Sequence, residues 1–313
     1  MTDIATPEGR QGRIARFFDS DIVFSYRRSP IAILASIVAL GLILAAVLAP
    51  WIAPYDPFNP RTLNLMDGFT KPMSSSFAGN YFLLGSDHQG RDVLSTILYG
   101  SRVSLLVGLS ATLFAMTLGV GLGLVAGYRG GLLDTVIMRI ADIQLSFPAI
   151  LIALLIFGVA RGLIPASQQE NVVLWVLVLA IGLSNWAQFA RTVRGATMVE
   201  RQKDYVSAAR IMGVPPFFIL IKHILPNVIG PVLVIATIGL ALAIIEEATL
   251  SYLGVGVPPT QPSLGTLIRI GQQFLFSGEW WILAFPAFTL ILLALSVNLL
   301  GDWLRDALNP RLR

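Results

Sequence analysis

Nucleophilic and metal chemistry both need Cys, His or clustered carboxylates at defined spacings, and this chain offers few of them. It has no Cys, so neither disulfides nor thiolate metal sites can form. His88 and His223 are its two histidines, far apart in sequence, and no HExxH stretch occurs, which leaves little from which to build a zinc, haem or intramembrane-protease centre. A phosphate-cradling loop needs Gly-Lys followed by Ser or Thr, whereas the three lysines, Lys71, Lys203 and Lys222, follow Thr, Gln and Ile. The chain is therefore expected to be no enzyme and to hold no metal or cofactor of its own.

Two side chains do stand out chemically. Glu246 and Glu247 are the only adjacent carboxylates, set near one end of an otherwise apolar run. Ionisable groups at that depth are costly and face a cavity, a partner or the protein interior. Neighbours on a helix point about 100° apart, so the two cannot share one direction. One reading puts one of them on a translocation path and the other in a bond within the bundle or to a partner. The other reading puts both at the membrane surface, capping the polar SYLGVGVPPT stretch that follows.

The elements that must hold such groups are apolar and long. Of 313 residues, 55% are hydrophobic and only 13% charged, with a mean hydropathy of +0.73; soluble domains usually carry about twice that charge fraction. An integral membrane protein follows. The sequence pI of about 9.6 does not imply nucleic acid, because the basic residues are scattered between apolar runs.

Six runs of roughly the ~20-residue spanning length fall at Ile31–Trp51, Leu105–Ala126, Ile143–Val159, Val172–Phe189, Val228–Thr249 and Trp280–Leu300. The first lacks a small-residue cleavage pattern and is read as retained. Gly119, Gly123 and Gly127 form a small-xxx-small stripe for close helix packing. Asp87 with Gly85 and Gly90 suits a tight turn, and Asp92 is placed to cap a helix from Val93. Asp134, Arg139 and Asp142 lie one or two turns apart on a helix entering the third span and form a local ion-pair network on the plainest reading. Pro148 predicts a kink inside that span, beside Gln144.

The longest non-spanning stretch of the second half is Asp204–Asn227, DYVSAARIMGVPPFFILIKHILPN. Tyr205, Ala208, Ala209 and Met212 fall at i, i+3, i+4 and i+7, so a short helix from Asp204 carries them as one stripe, a docking face. Gly213 closes that helix in the left-handed conformation, Pro215 and Pro216 start a second arm from Phe217, and Pro226 is expected to break it.

This stretch resembles the EAA loop of ABC-importer membrane subunits, in which Glu-Ala-Ala is followed by Gly and then by Ile-x-Leu-Pro. Ala208, Ala209, Gly213, Leu225 and Pro226 match at the right spacings, with Ser207 in place of Glu and His223 in place of Ile. The segment LLGSDHQGRDVLSTILYGSRVSL is similar to one found in dipeptide and oligopeptide permeases of the "C" type. The resemblance implies an all-α, six-helix membrane subunit of the type I importer permease (MetI-like) architecture. It also implies that Asp204, Tyr205, Ser207, Ala208, Ala209, Met212, Gly213, His223, Leu225 and Pro226 form the coupling surface for an ATPase. The implied partners are a homologous permease subunit, two ATPase subunits carrying the ATP and Mg, a periplasmic substrate-binding protein and membrane lipid, with no nucleic acid. The implied cargo is a dipeptide or oligopeptide; nickel and glutathione importers share the architecture.

Placing the N-terminus inside puts 16 Lys and Arg on the cytoplasmic side and 6 outside, as the positive-inside bias requires. The expected organisation is then a cytoplasmic tail over 1–30, either along the membrane surface or free, a first transmembrane helix over 31–54 and a periplasmic segment over 55–101. A five-helix permease core follows over 102–304 with its cytoplasmic coupling loop at 190–227, and then a cytoplasmic tail over 305–313, all in a bacterial inner membrane. An ion-coupled secondary transporter is the rival from another class, but the chain shows no repeated halves.

Overall fold

The computed structural model describes residues 21–59, 63–258 and 260–307; the expectations for residues 1–20 and 308–313 lie outside them. Four helices cross the apolar core alone: α2 (Pro30–Val47), α3 (Val93–Arg129), α6 (Ala166–Glu200) and α10 (Trp281–Ala307). A fifth, α8 (Leu225–Tyr252), is entered from Pro216 without a break, giving five helices long and apolar enough to span. The sixth span is the pair α4 (Gly131–Leu145) and α5 (Ala149–Leu163), bent by 98°. Helix α1 (Asp21–Arg28) precedes the first span, and its Tyr26 ring meets Trp303 of α10 edge-on, with centroids 5.2 Å apart.

Two expectations change here. The third span is not one kinked helix: the chain breaks at Ser146–Pro148, because a residue before proline is pushed out of the helical region and Pro148 lacks the donor that would continue the ladder. Pro226 breaks nothing. A π-helical turn over Ile219–Ile224 widens the ladder ahead of it, and Pro226 then sits in the first turn of α8, where a missing N–H costs least.

The glycine stripe performs as the sequence predicts, and the approach is close. A Cβ on Gly123 would lie 2.6 Å from the carbonyl oxygen of Ala190, and one on Gly127 2.7 Å from Cβ of Thr197, so α3 and α6 meet backbone to backbone. Asp134 and Asp142 of α4 do not make a local network. They pair with Arg194 and Arg191 of α6, and Arg194 holds Asp134 through two bonds, one of 2.7 Å. Gln144 adds bonds from its Nε2 to the carbonyls of Leu183 (2.7 Å) and Ser184 (2.8 Å), so α4 is clipped to α6 along its length.

Between α2 and α3 lies a compact segment with one short hairpin, β1 (Ser74–Ser75) against β2 (Tyr81–Phe82). Gly85 and Gly90 take positive φ as the turn reading requires, and Asp87 accepts from the amides of Gln89 and Arg91 while its other oxygen pairs with Arg91 at 2.7 Å. The Asp92 side chain accepts from Ser95 N at 2.8 Å and caps α3 as expected. The Trp281 ring nitrogen donates to Ser86 O at 3.1 Å, tying this segment to α10. Helix α9 (Leu264–Phe274) is amphipathic and folds over the same end of the bundle, where Phe274 meets Phe69 and His88.

Candidate functional site

The stretch after α6 forms helix α7 (Asp204–Ile211), with Asp204 in its first turn, where a negative charge suits the helix dipole. Gly213 closes it at φ +76°, with Val214 N bonded to Ala209 O (3.1 Å) and Gly213 N to Arg210 O (3.0 Å), the two bonds of a Schellman turn. The bend predicted from Gly213 is therefore real.

The stripe is not one face. Val206 and Ala209 are buried, with Tyr205 beside them, in a cluster formed with Leu124 of α3, Val193 of α6 and Val228 of α8. Ala208 and Met212 are exposed on the other side with Ile211, as are Ser207 and Asp204. A helical period of 3.6 residues carries positions i and i+3 apart by about 60°, enough to divide this stripe between bundle and solvent. Val206, which the i, i+3, i+4 pattern passed over, is the anchor; its signal is its apolar character one residue from Tyr205.

Polar contacts hold α7, and the link that leads into it from α6, to the ends of the spans. Arg201 donates to the carbonyls of Gly127 (3.1 Å) and Tyr128 (3.0 Å), which are left free where α3 stops, and Arg210 lies over the Tyr128 ring at 5.0 Å. The Tyr205 hydroxyl donates to Glu200 at 2.6 Å and accepts from Asn227 at 3.2 Å; burial, with the Glu200 carboxylate next to it, pushes its pKa up to about 12. His223 contributes its carbonyl, which accepts from Asn227 at 2.6 Å. Leu225 packs against the cluster under α7, and Pro226 is exposed. The inner face of α7 thus rests on residues of α3, α6 and α8, while Ile211 (88% exposed), Met212 (74%) and Phe217 (67%) remain uncovered.

The two carboxylates lie near the other end of α8 and separate as the 100° argument requires. Glu247 is fully buried and accepts from Ser104 of α3 (2.6 Å) and Ser251 (2.7 Å). Glu246 is partly buried and accepts from Asn185 of α6 at 2.7 Å. Ser104 and Asn185 carry no sequence signal as partners, because they lie 143 and 61 residues away. The coupling segment and the carboxylates are thus not brought together; α8 joins them end to end. Among the described residues no group of three or more His, Cys, Asp or Glu could hold a metal ion.

Comparison with known proteins is consistent along the chain. Residues 119–313 match the family described as the inner membrane component of binding-protein-dependent transport systems, and residues 20–72 match the N-terminal TM domain of oligopeptide transport permease C. A dipeptide transport system permease protein of Haemophilus influenzae is 35% identical over 93% of this chain and 94% of its own length. A di/tripeptide transport system permease protein of Pseudomonas aeruginosa is 37% identical over 88% and 86%. A glutathione transport system permease protein of Pectobacterium atrosepticum is 36% identical over 92% and 89%. In fold, the chain is similar to a chain of the methionine ABC transporter MetNI in an inward-facing conformation, with a TM-score of 0.53 and 22% identity over 68% of this chain and 96% of that one.

Proposed function

We propose, from the premise that this chain belongs to the family of inner membrane components of binding-protein-dependent transport systems, that its cargo is a short peptide and that its α7 segment receives an ATPase. The chain is a multi-pass permease subunit of an ABC importer and not itself an enzyme. Relatives named for dipeptides and for di- and tripeptides favour the peptide cargo, and one named for glutathione supports a second reading within the same architecture.

The observation that carries the coupling reading is the division of α7 into two faces. The inner face is built into three spanning helices, and the outer face leaves Ile211, Met212 and Phe217 uncovered at the end of the bundle. An ATPase subunit, with its ATP and Mg, seats on that outer face in the cytoplasm. A homologous permease completes the pore, and a periplasmic binding protein delivers cargo to the opposite end, across a bacterial inner membrane with both termini of this chain inside. Ser207, Ala208 and Met212 contact the ATPase in this arrangement, whereas Tyr205, Ala209, His223 and Leu225 hold the segment rigid behind them.

The test is purification of the chain with and without its co-expressed ATPase subunits. The chain alone is expected to hydrolyse no ATP. The double variant Ile211→Asp, Met212→Asp, which places charge on the uncovered face and nothing in the packed one, is expected to lose at least tenfold of the co-purifying ATPase and to abolish dipeptide uptake. Undiminished co-purification and uptake by that variant would show that the ATPase docks elsewhere.

A further inference from the structure

At the end of the bundle remote from α7, the end of α5, the start of α6, the loop after α8 and α9 line an open cavity of about 520 Å³, within the range of small-molecule sites. Its walls divide by chemistry. Phe157, Val176 and Val257 are among a mainly apolar lining, and Arg161 and Arg269 are the charged members, with no carboxylate among the described lining residues. A cavity with two guanidiniums and an apolar body is complementary to an amphipathic anion.

Neither arginine is paired with a carboxylate among the described residues. Arg161 donates from Nε to Gln169 at 3.3 Å, and Gln169 fixes the turn by donating to the carbonyls of Arg161 (3.2 Å) and Ile164 (3.1 Å). That leaves the terminal amino groups of Arg161 without a hydrogen bond among the described residues. Arg269 rises from α9 with its Nε buried and unpartnered among the described residues. Its guanidinium presses on Gly254, where an added Cβ would stand 2.9 Å from Nη1 and where φ is +81°. A glycine at that point serves both the turn and the seat of the guanidinium. Nε itself is out of reach of a ligand, so what Arg269 offers the cavity is its positive charge.

We propose that this cavity is a subsite for the carboxyl end of the transported peptide, Arg269 and Arg161 receiving the carboxylate and the apolar wall receiving the adjoining side chain. The proposal rests on the peptide-import reading above. A phospholipid phosphate presents the same anionic chemistry, and the cavity volume matches a short peptide end better than a two-chain lipid.

The experiment uses the assembled importer with its binding protein in proteoliposomes and compares uptake of leucyl-leucine with that of leucyl-leucine amide, which lacks the carboxylate. The binding protein's own preference is common to parent and variant, so the acid-to-amide ratio isolates the permease. Arg161→Gln and Arg269→Gln are each expected to lower that ratio at least tenfold, with Arg269→Lys restoring part of it. Arg161 is exposed, so its variant decides the matter if Arg269→Gln fails to assemble. An unchanged ratio in variants that assemble overturns the subsite while leaving peptide import standing. Loss of co-purifying phosphatidylglycerol in the variants with that ratio unchanged assigns the cavity to lipid instead. Absence of any peptide uptake by the parent complex overturns the cargo reading and the subsite with it.

Discussion

A carboxyl group with no exposed surface inside a membrane bundle persists only if donors meet its oxygens, and Glu247 meets that condition with groups that are themselves committed. Ser104 donates to Oε2 and in turn accepts from Leu264 N at 3.2 Å, the first amide of α9; Ser251 donates to Oε1 and accepts from Val257 N at 3.3 Å. One side chain therefore pins α3, α8, the following loop and α9 to each other. Glu246 makes one bond to Asn185 and keeps part of its surface open. Glu247→Ala is expected to destabilise the folded chain by about 1–3 kcal/mol for each hydroxyl left unmatched, read as a lowered thermal unfolding midpoint in detergent. Glu246→Gln should assemble with its partners like the parent and lose transport. A normal midpoint for Glu247→Ala, or full transport by Glu246→Gln, contradicts this division. The sequence showed that the adjacent pair must point in different directions and left open whether either was inside the bundle. Which was which was not legible, because the answer lies in Ser104 and Asn185, brought in from other helices by the glycine-mediated approach of α3 and α6 and by the packing of both on α8.

At the level of elements, local chemistry was readable and its direction was not. Asp92 and Gly213 act on their immediate neighbours and the glycine stripe through the bare backbone it offers to α6, and each is found where its type predicts. Pro148 announced a kink and the chain instead breaks there through 98°, with Gln144, Asp134 and Asp142 on the α4 side bonded to α6, partners that lie far off in sequence. Pro226 misled for the converse reason: the π turn before it is set by Ile219 and Ile224, both buried under α7. Gly213 offers the cleanest test of an element's role. Nothing lies within 4 Å of a Cβ built there, so a substitution strains only the backbone at φ +76°. Gly213→Val is expected to cost about 1–2 kcal/mol in the turn and to misdirect α7, giving normal insertion but reduced ATPase association and uptake. Gly213→Asn, which tolerates the left-handed region, should stay near the parent. Equal behaviour of the Val and Asn variants in co-purification and uptake would remove the turn from the coupling path.

For the whole molecule the deciding quantity is which end faces which compartment: geometry separates the two ends, and the charge bias is the argument for assigning them. Helix α6 alone has 35 residues, so at a rise of about 1.5 Å each it exceeds a ~30 Å hydrocarbon core and separates Arg161 and the cavity at one end from α7 at the other. Among the described residues the α7 end carries the excess of Lys and Arg, which under the positive-inside bias favours a cytoplasmic placement. Residues of α3, α6 and α8 are all packed beneath α7, and the same three helices extend toward the end that holds the carboxylates. The chain's lack of Cys turns this orientation into a direct measurement, since any introduced thiol is the only one present. Ile211 is 88% exposed on α7, and Phe77 is 99% exposed at the tip of the hairpin between α2 and α3. A membrane-impermeant maleimide is expected to label Phe77→Cys in intact spheroplasts and to reach Ile211→Cys only in inside-out vesicles, where a seated ATPase should slow the reaction. Labelling of Ile211→Cys from outside would invert the topology and take the ATPase surface out of the cytoplasm; labelling from inside at the same rate with and without ATPase subunits would leave the orientation intact and move the docking face off Ile211.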